Sequence, residues 1–260
     1  MPNKKSVSSL SLAKSENYLV ADRRHVIVFN FKVPEKLLLP YLPEGTQLDT
    51  FKGECYLSLI GYLSLNTKIA GVPIMLKRDF EGLGLRFYVK RRLGRKVRRG
   101  VVYIKEVVPK KVVAASKRKL LNSECDVLPM GHKIDFNCGE VALGGRVEYF
   151  WQSGAQKYHV SVLTEGTPKS PSKTSIEHYI NDHPYGYATL KDGSSVEYEI
   201  KHPNWRVTKV VESSLFCDGA NLYSKEIHKI LKKEPDAVFL AEGSTLEIGK
   251  ADFLFEAKKP

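Results

Sequence analysis

The chain has 260 residues, 42 % of them hydrophobic and 27 % charged, with 41 lysines and arginines against 29 acidic residues. That apolar share supports a sizeable core and excludes wholesale disorder, and the length suits one large β domain or two small ones. A formal charge of +12 would attract phosphate, nucleic acid or anionic lipid wherever it gathers on one surface.

No apolar run approaches the roughly 20 residues that cross a bilayer, so no membrane span is expected. Residues 1–18, MPNKKSVSSLSLAKSENY, are rich in Ser and Lys and lack the apolar core of a signal peptide. They read as a flexible tail, with residues 19–260 forming a single domain in the cytoplasm. Cys55, Cys125, Cys138 and Cys217 are scattered without a Cys-x-x-Cys pair. That suits reduced, buried thiols better than a disulfide frame or a zinc site.

Arg24 to Lys32 (RHVIVFNFK) predicts the first strand and Pro34 to Leu42 a short helix. Thr50 to Leu65 contains CYLSLIGYLSL, which sets Tyr56, Ser58, Ile60 and Tyr62 against Leu57, Leu59, Gly61 and Leu63. Both faces are largely apolar, the pattern of a strand buried on one side and covered on the other. Leu85 to Val89 and Val101 to Val108 are rich in Val, Ile, Tyr and Phe and flank a cationic connection around Gly94. They predict a β-hairpin with an extended, charged tip. Seven of the ten residues Lys90 to Arg99 are Lys or Arg, with no aromatic residue among them. They read as a solvated tip, and nucleic acid is disfavoured as a partner.

Pro109 closes the second strand, and Val112 to Leu121 predicts a helix with Val112, Val113, Ala115, Leu120 and Leu121 near one face. Lys110 and Lys111 fall in its first turn, where the helix dipole disfavours cations. A local rule broken so openly is a place to look for function. Lys133 to Asn137, Glu140 to Gln152 and Gln156 to Thr164 read as consecutive strands, and Glu165 to Thr174 (EGTPKSPSKT) as a loop. Asp192-Gly193 predicts a tight turn between Tyr187 to Leu190 and Ser195 to Lys201. Trp205 to Val211, Ala237 to Ala241 and Leu246 to Phe255 add strands. A helix capped by Ser224, with Ile227, Ile230 and Leu231 as its stripe, ends at Pro235. Many short strands with few helices predict a mainly β fold, a closed or nearly closed antiparallel barrel.

Glu106 to Lys111, EVVPKK, resembles the element of acetoacetate decarboxylase in which a glutamate precedes Pro-Lys-Lys and the first lysine forms the Schiff base. LPEGTQLDTFKGECYLSLIGY (Leu42 to Tyr62), FEGLGLRFYVKRR (Phe80 to Arg92) and RRGVVYIKEVVPKK (Arg98 to Lys111) widen the resemblance. EHY (Glu177 to Tyr179), EYEIKHPNW (Glu197 to Trp205) and FLAEGS (Phe239 to Ser244) extend it over most of the chain after about residue 20. Together they are similar to the YqjF-like bacterial branch of the acetoacetate decarboxylase-like superfamily. The resemblance implies an antiparallel β-barrel with an interior cavity for a small organic acid or carbonyl compound, no cofactor, and Schiff-base lyase or decarboxylase chemistry at Lys110.

A lysine must lose its proton before it attacks a carbonyl, and a second cation (Lys111), a helix start and partial burial all favour that. The plain alternative is two solvated lysines at a strand end. In a strand Glu106 shares a face with Ile104 and Val108, while Tyr103, Lys105 and Val107 take the other. Glu106 is then either an acid/base group or half of a cross-strand ion pair. Glu81 and Arg86 bracket the facing strand. Arg86 could grip a substrate carboxylate bidentately or pair with Glu81 or Glu106.

His178, His183 and His202 with Glu177, Glu197 and Glu199 match no common ligand spacing, so no metal is expected. His178, Tyr187, His202 and Trp205 are candidate substrate contacts, with core packing as the alternative. No phosphate loop, Gly-x-Ser-x-Gly elbow or His-Glu-x-x-His occurs, which disfavours nucleotide-driven chemistry, serine hydrolysis and zincin proteolysis. Three readings stay open: a Schiff-base enzyme, a non-catalytic ligand-binding barrel, and a basic module contacting nucleic acid or anionic membrane. Homo-oligomerisation is open as well.

Overall fold

The structure is a computed structural model and describes residues 17–74, 79–136, 144–217 and 222–255. The first sixteen residues of the expected tail, Cys138 and the start of the strand expected from Glu140 lie outside the described residues. The first half holds strands β1 (Asn17–Val33), β2 (Gln47–Leu48), β3 (Cys55–Ile69), β4 (Val72–Pro73), β5 (Phe80–Leu93), β6 (Lys96–Val108), β7 (Cys125–Val127) and β8 (Met130–Asp135). The second holds β9 (Arg146–Ser153), β10 (Gln156–Lys169), β11 (Tyr185–Thr189), β12 (Ser195–Lys201), β13 (Val207–Phe216), β14 (Ala237–Ala241), β15 (Thr245–Gly249) and β16 (Asp252–Phe255). Helices α1 (Glu35–Leu38), α2 (Lys111–Leu121), α3 (Ile176–Asn181) and α4 (Lys225–Leu231) interrupt them.

The fold is mainly β, and its strands form one large mixed sheet. The expectation of a purely antiparallel sheet is corrected at β6, which pairs parallel with β7 and with β11. A parallel neighbour needs a crossover, and α2 supplies the one between β6 and β7. The ladder β1–β3–β5–β6–β11–β12–β15 returns to β1, so these seven strands close a ring of pairings. Past residue 25, β1 pairs with β14 instead and leads into a second layer, β14–β13–β10–β9–β8.

Two apolar clusters follow from this split. Leu57, Leu59, Leu85, Phe87 and Val102 face the second layer and meet Trp151, Val160 and Ile230 there. Tyr56, Ile60, Tyr62, Tyr88, Val101, Tyr198 and Ile248 face one another across the ring. β3 therefore buries both faces, as its two apolar sets predict. Gly82 lies directly opposite Tyr62 on the neighbouring strand, and a Cβ there would come within 2.2 Å of the phenol ring. The missing side chain is what lets the tyrosine lie flat inside the ring.

The segment expected as a loop after Thr164 continues β10 to Lys169. The helix expected at Val112 to Leu121 forms, but with a different buried stripe. Val113, Ala114, Lys117 and Leu121 are buried at helical spacing, whereas Val112 and Ala115 face solvent.

The cationic hairpin is tighter and less free than its composition suggests. β5 and β6 pair out to Leu93 and Lys96, leaving Gly94, in the left-handed region at φ 58°, and Arg95 as the turn. Arg91 and Arg98 both pair with Glu197, Lys90 lies 3.6 Å from Asp49, and Arg99 reaches Asp49 at 2.7 Å and Asp182 at 3.1 Å. Arg92, Arg95 and Lys96 are the exposed remainder.

Asp49 also faces the buried His183, whose Nε2 lies 3.3 Å from its carboxylate between the rings of Tyr88 and Tyr179. Burial pushes the imidazole down to about 4 against the opposing pull of Asp49. Despite its own burial, Asp49 is held at about 2 by His183 and Arg99. Both groups bind protons more readily in the unfolded chain, so both destabilise the fold as pH falls. His183 acts first, from about 6.5 down to about 4, and Asp49 below the usual Asp range down to about 2. The unfolding free energy from urea titrations should therefore fall between pH 7 and 4, by roughly 3 kcal/mol in all for His183. His183→Gln, which keeps a donor for Asp49, should flatten that slope; an unchanged slope would assign it elsewhere.

Candidate functional site

Two interruptions of strand register bring charged residues inside the ring. Along β1, Leu19 and Ala21 face inward, and so does Arg23. His25 then adopts φ 51° and the pairing with β3 slips between Arg24 and Ile27. The inward set resumes with Val26 and Val28, one residue out of phase. A second slip between Leu85 and Arg86 makes Tyr103 the partner of Arg86 and Glu106 the partner of Gly84. The expectation that Tyr103 and Glu106 take opposite faces of β6 is thereby corrected. An extra residue in the strand returns both to the inner face.

The cluster so formed has more positive than negative charge. Arg23 is buried with its guanidinium 3.9 Å from the centre of the Tyr62 ring. Arg86, half-buried, sits 5.6 Å from the Tyr88 ring and donates a long hydrogen bond (3.4 Å) to the Ile180 carbonyl. The Nε of each is enclosed without a hydrogen-bond partner, and among the described residues neither arginine has a carboxylate within ion-pair distance. The cluster's one carboxylate, Glu106, is committed to others. It accepts from Lys117 Nζ at 2.7 Å and from Ser123 Oγ at 2.7 Å, and all three residues are buried.

Burial alone would raise the Glu106 carboxyl and lower the Lys117 ammonium; their contact reverses both, so the pair is ionised. Burial raises the phenols of Tyr62, Tyr88 and Tyr198. Tyr103 alone of these goes the other way, because Arg86 and Arg23 outweigh its burial. His202, stacked on Trp205 at 4.4 Å, is lowered by burial first and then by Arg86 and Arg23. Tyr103 and Ser123 also line a cleft of about 340 Å³ together with Tyr198, Leu121 and Tyr187.

Of the residues singled out in the sequence, Arg86, Glu106, His202 and Trp205 come together here. Tyr187 lines the cleft but packs its ring in the other cluster, against the position of Gly100. Glu81 bonds His132 Nδ1 at 2.6 Å and does not pair with Arg86. His178 is half-buried on α3, its backbone N–H donating to the capping Ser175 hydroxyl. Lys110 is half-buried as the residue preceding α2, and Lys111 is exposed in the first turn. Among the described residues no group of His, Cys, Asp and Glu is arranged to hold a metal ion.

Arg23, Tyr103 and Lys117 were not singled out by sequence. Lys117 left a readable signal, since it interrupts the apolar stripe Val113, Ala114, Leu121 at i+4 and i+3 spacing. Arg23 and Tyr103 were hidden by the register slips.

The buried ion pair yields a direct stability test. Glu106→Gln or Lys117→Met should each cost about 3–5 kcal/mol in urea unfolding, because each strands the other partner in the interior. The double replacement should cost less than the two combined. Fully additive losses would mean that the two residues are not coupled.

The profile of a family described as DUF2071, uncharacterized conserved protein, matches residues 21–245. No curated protein matches the chain. Among solved structures, the enduracididine biosynthesis enzyme MppR complexed with pyruvate superposes with a TM-score of 0.63 at 10 % identity, covering 95 % of this chain and 93 % of that one. An acetoacetate decarboxylase-like enzyme from Sphingomonas wittichii RW1 gives 0.62 at 11 % identity, over 98 % of this chain and all of that one (100 %). Acetoacetate decarboxylase from Legionella pneumophila gives 0.62 at 10 % identity, over 98 % and 92 %. At such identities the likeness is one of fold.

Proposed function

Because the chain belongs to the DUF2071 family and has an acetoacetate decarboxylase-like fold, we propose that it binds a small organic acid inside the strand ring, with the carboxylate held by Arg23 and Arg86. The observation that carries this reading is that the buried Arg23 and the half-buried Arg86 both have an enclosed Nε and no carboxylate partner among the described residues. A charge kept from water is stable only when it is paired. Here Glu106 is already taken by Lys117, which leaves two positive charges for a ligand to answer. Planar, forked guanidinium donors match a carboxylate well. His202 and Trp205, stacked on each other, give the ligand an aromatic flank. The pyruvate held by MppR is the size of molecule intended.

Schiff-base chemistry at Lys110 is a further step that the Pro109-Lys110-Lys111 element supports. Lys110 is the extended residue that precedes α2, seven residues before Lys117 in the sequence. Lys117 itself, ionised against Glu106, is no nucleophile while that pair is closed.

Binding of pyruvate, acetoacetate and succinate should be measured by calorimetry or ligand-observed NMR at low salt. Arg23→Met and Arg86→Met should each weaken binding at least about tenfold, the worth of one charge-assisted hydrogen bond. Failure of the folded wild type to bind any of these acids would overturn the reading. Borohydride added to the oxo-acid mixtures then tests the imine step. A reduced adduct on Lys110, lost in Lys110→Arg, makes the protein a Schiff-base enzyme; binding without an adduct makes it a ligand-binding protein.

A further inference from the structure

We propose that Tyr103 is the proton-exchanging residue of this site: its hydroxyl stands against both arginines, and a bound organic anion displaces it from them and returns it to the protonated form. The inference rests on the anion reading above and adds to it a residue, a proton and a direction of pH dependence.

The geometry begins with register. Tyr103 is the cross-strand partner of Arg86, and its ring lies over Gly84, where a Cβ would come within 2.8 Å of the ring edge. That contact fixes the ring on the inner face, with its hydroxyl within hydrogen-bonding reach of both guanidiniums. Tyr103 also lines the cleft of about 340 Å³, so part of the residue borders space that solvent can enter.

The charged and titratable groups around it come from every neighbouring element. Arg23 on β1, Arg86 on β5 and Lys117 on α2 favour its phenolate, while Glu106 on β6 opposes it. Tyr62 on β3, Tyr88 on β5 and Tyr198 on β12 are each held by burial above the usual phenol range and stay protonated. His202, after β12, is lowered by burial and by both arginines, which leaves it neutral. Glu106 is neutralised by Lys117. Tyr103 is therefore the one acid in the cluster that can answer the arginines by giving up a proton, and the two arginines pull it in that direction.

A carboxylate entering between Arg23 and Arg86 reverses this. It supplies the negative charge that the phenolate otherwise supplies, and two anions on the same cations repel each other. The phenolate oxygen then takes one proton from solvent as the carboxylate binds. One O–H bond forms, no bond of the ligand breaks, and charge balances. The sign follows: binding takes up a proton wherever free Tyr103 is ionised, so affinity falls as pH rises through the transition of the empty site. The fall can reach about tenfold per pH unit.

The chain has 13 tyrosines, and phenolate absorbance near 295 nm reads them together as pH rises. In the ligand-free wild type the first phenol to ionise should vanish in Tyr103→Phe and move to higher pH in Arg86→Met. At a pH within that first transition, succinate or pyruvate should bleach phenolate absorbance. Calorimetry in two buffers of different protonation enthalpy should show proton uptake on binding. Tyr103→Phe should bind the same acids with no uptake and no pH dependence over that range. Retention of the early phenol in Tyr103→Phe overturns the proposal, and so does wild-type binding without proton uptake. If Tyr103→Phe fails to fold, the wild-type bleaching and buffer-dependent heats decide alone. Absence of any binding overturns the anion reading and this coupling with it, whereas binding without uptake overturns the coupling only.

Discussion

The slip of register at His25 is the constraint on which the rest of the structure depends. A strand of uniform alternation could not place Arg23 and Val28 on the same inner face, because five residues separate them. With one residue absorbed at φ 51°, it does. The same slip marks where β1 leaves β15 and takes up β14, so ring and second layer part at one point. The point is clamped from both sides. Arg23 and His25 donate backbone hydrogen bonds to the Ser244 and Glu242 carbonyls, and the Tyr149 hydroxyl donates to the His25 carbonyl at 2.9 Å. Gly243, at φ +79°, lets that loop approach, since a Cβ would lie 2.1 Å from the Arg23 carbonyl oxygen.

Once Arg23 is inside, the electrostatics follow from arithmetic of sign. Lys117 could not sit beside Arg23 and Arg86 without a carboxylate, and Glu106 supplies it while joining α2 to β6. The remaining two cations are softened by aromatic faces rather than cancelled: Tyr62 lies under Arg23 and Tyr88 beside Arg86. Quadrupoles stabilise a cation without consuming it, which leaves the guanidinium edges available. Tyrosines serve here because a phenol offers a π face, a hydroxyl and bulk enough to fill the ring, and glycines opposite them give the room.

Much of this was legible in the sequence wherever one rule acted alone. The strands at Cys55 and Val101, the hairpin, the helix before Pro235 and the mainly β class all follow from periodicity, turn chemistry and capping. Arg86 and Glu106 stand out as charges in apolar strands. Where two rules met, the reading failed. Period-two counting assigned Tyr103 and Glu106 to opposite faces because a bulge leaves no mark in residue type. Composition painted Lys90 to Arg99 as a solvated tip, because the acids that pair with it, Asp49, Asp182 and Glu197, lie far away in sequence. The lysine pair beside Pro109 drew attention for the broken dipole rule, yet the lysine that enters the interior sits two turns further along the helix.

The second layer ends differently from the ring. Its last strand, β8, packs beside β5, but among the described residues no backbone ladder joins them; the polar link across the edge is the short bond between His132 and Glu81. A ladder fails cooperatively, several bonds at once, whereas a seam of side-chain packing and one polar bond can part and reseal more locally. Slow breathing, amide exchange and any admission of bulky partners to the inter-layer core would begin along the β5–β8 seam.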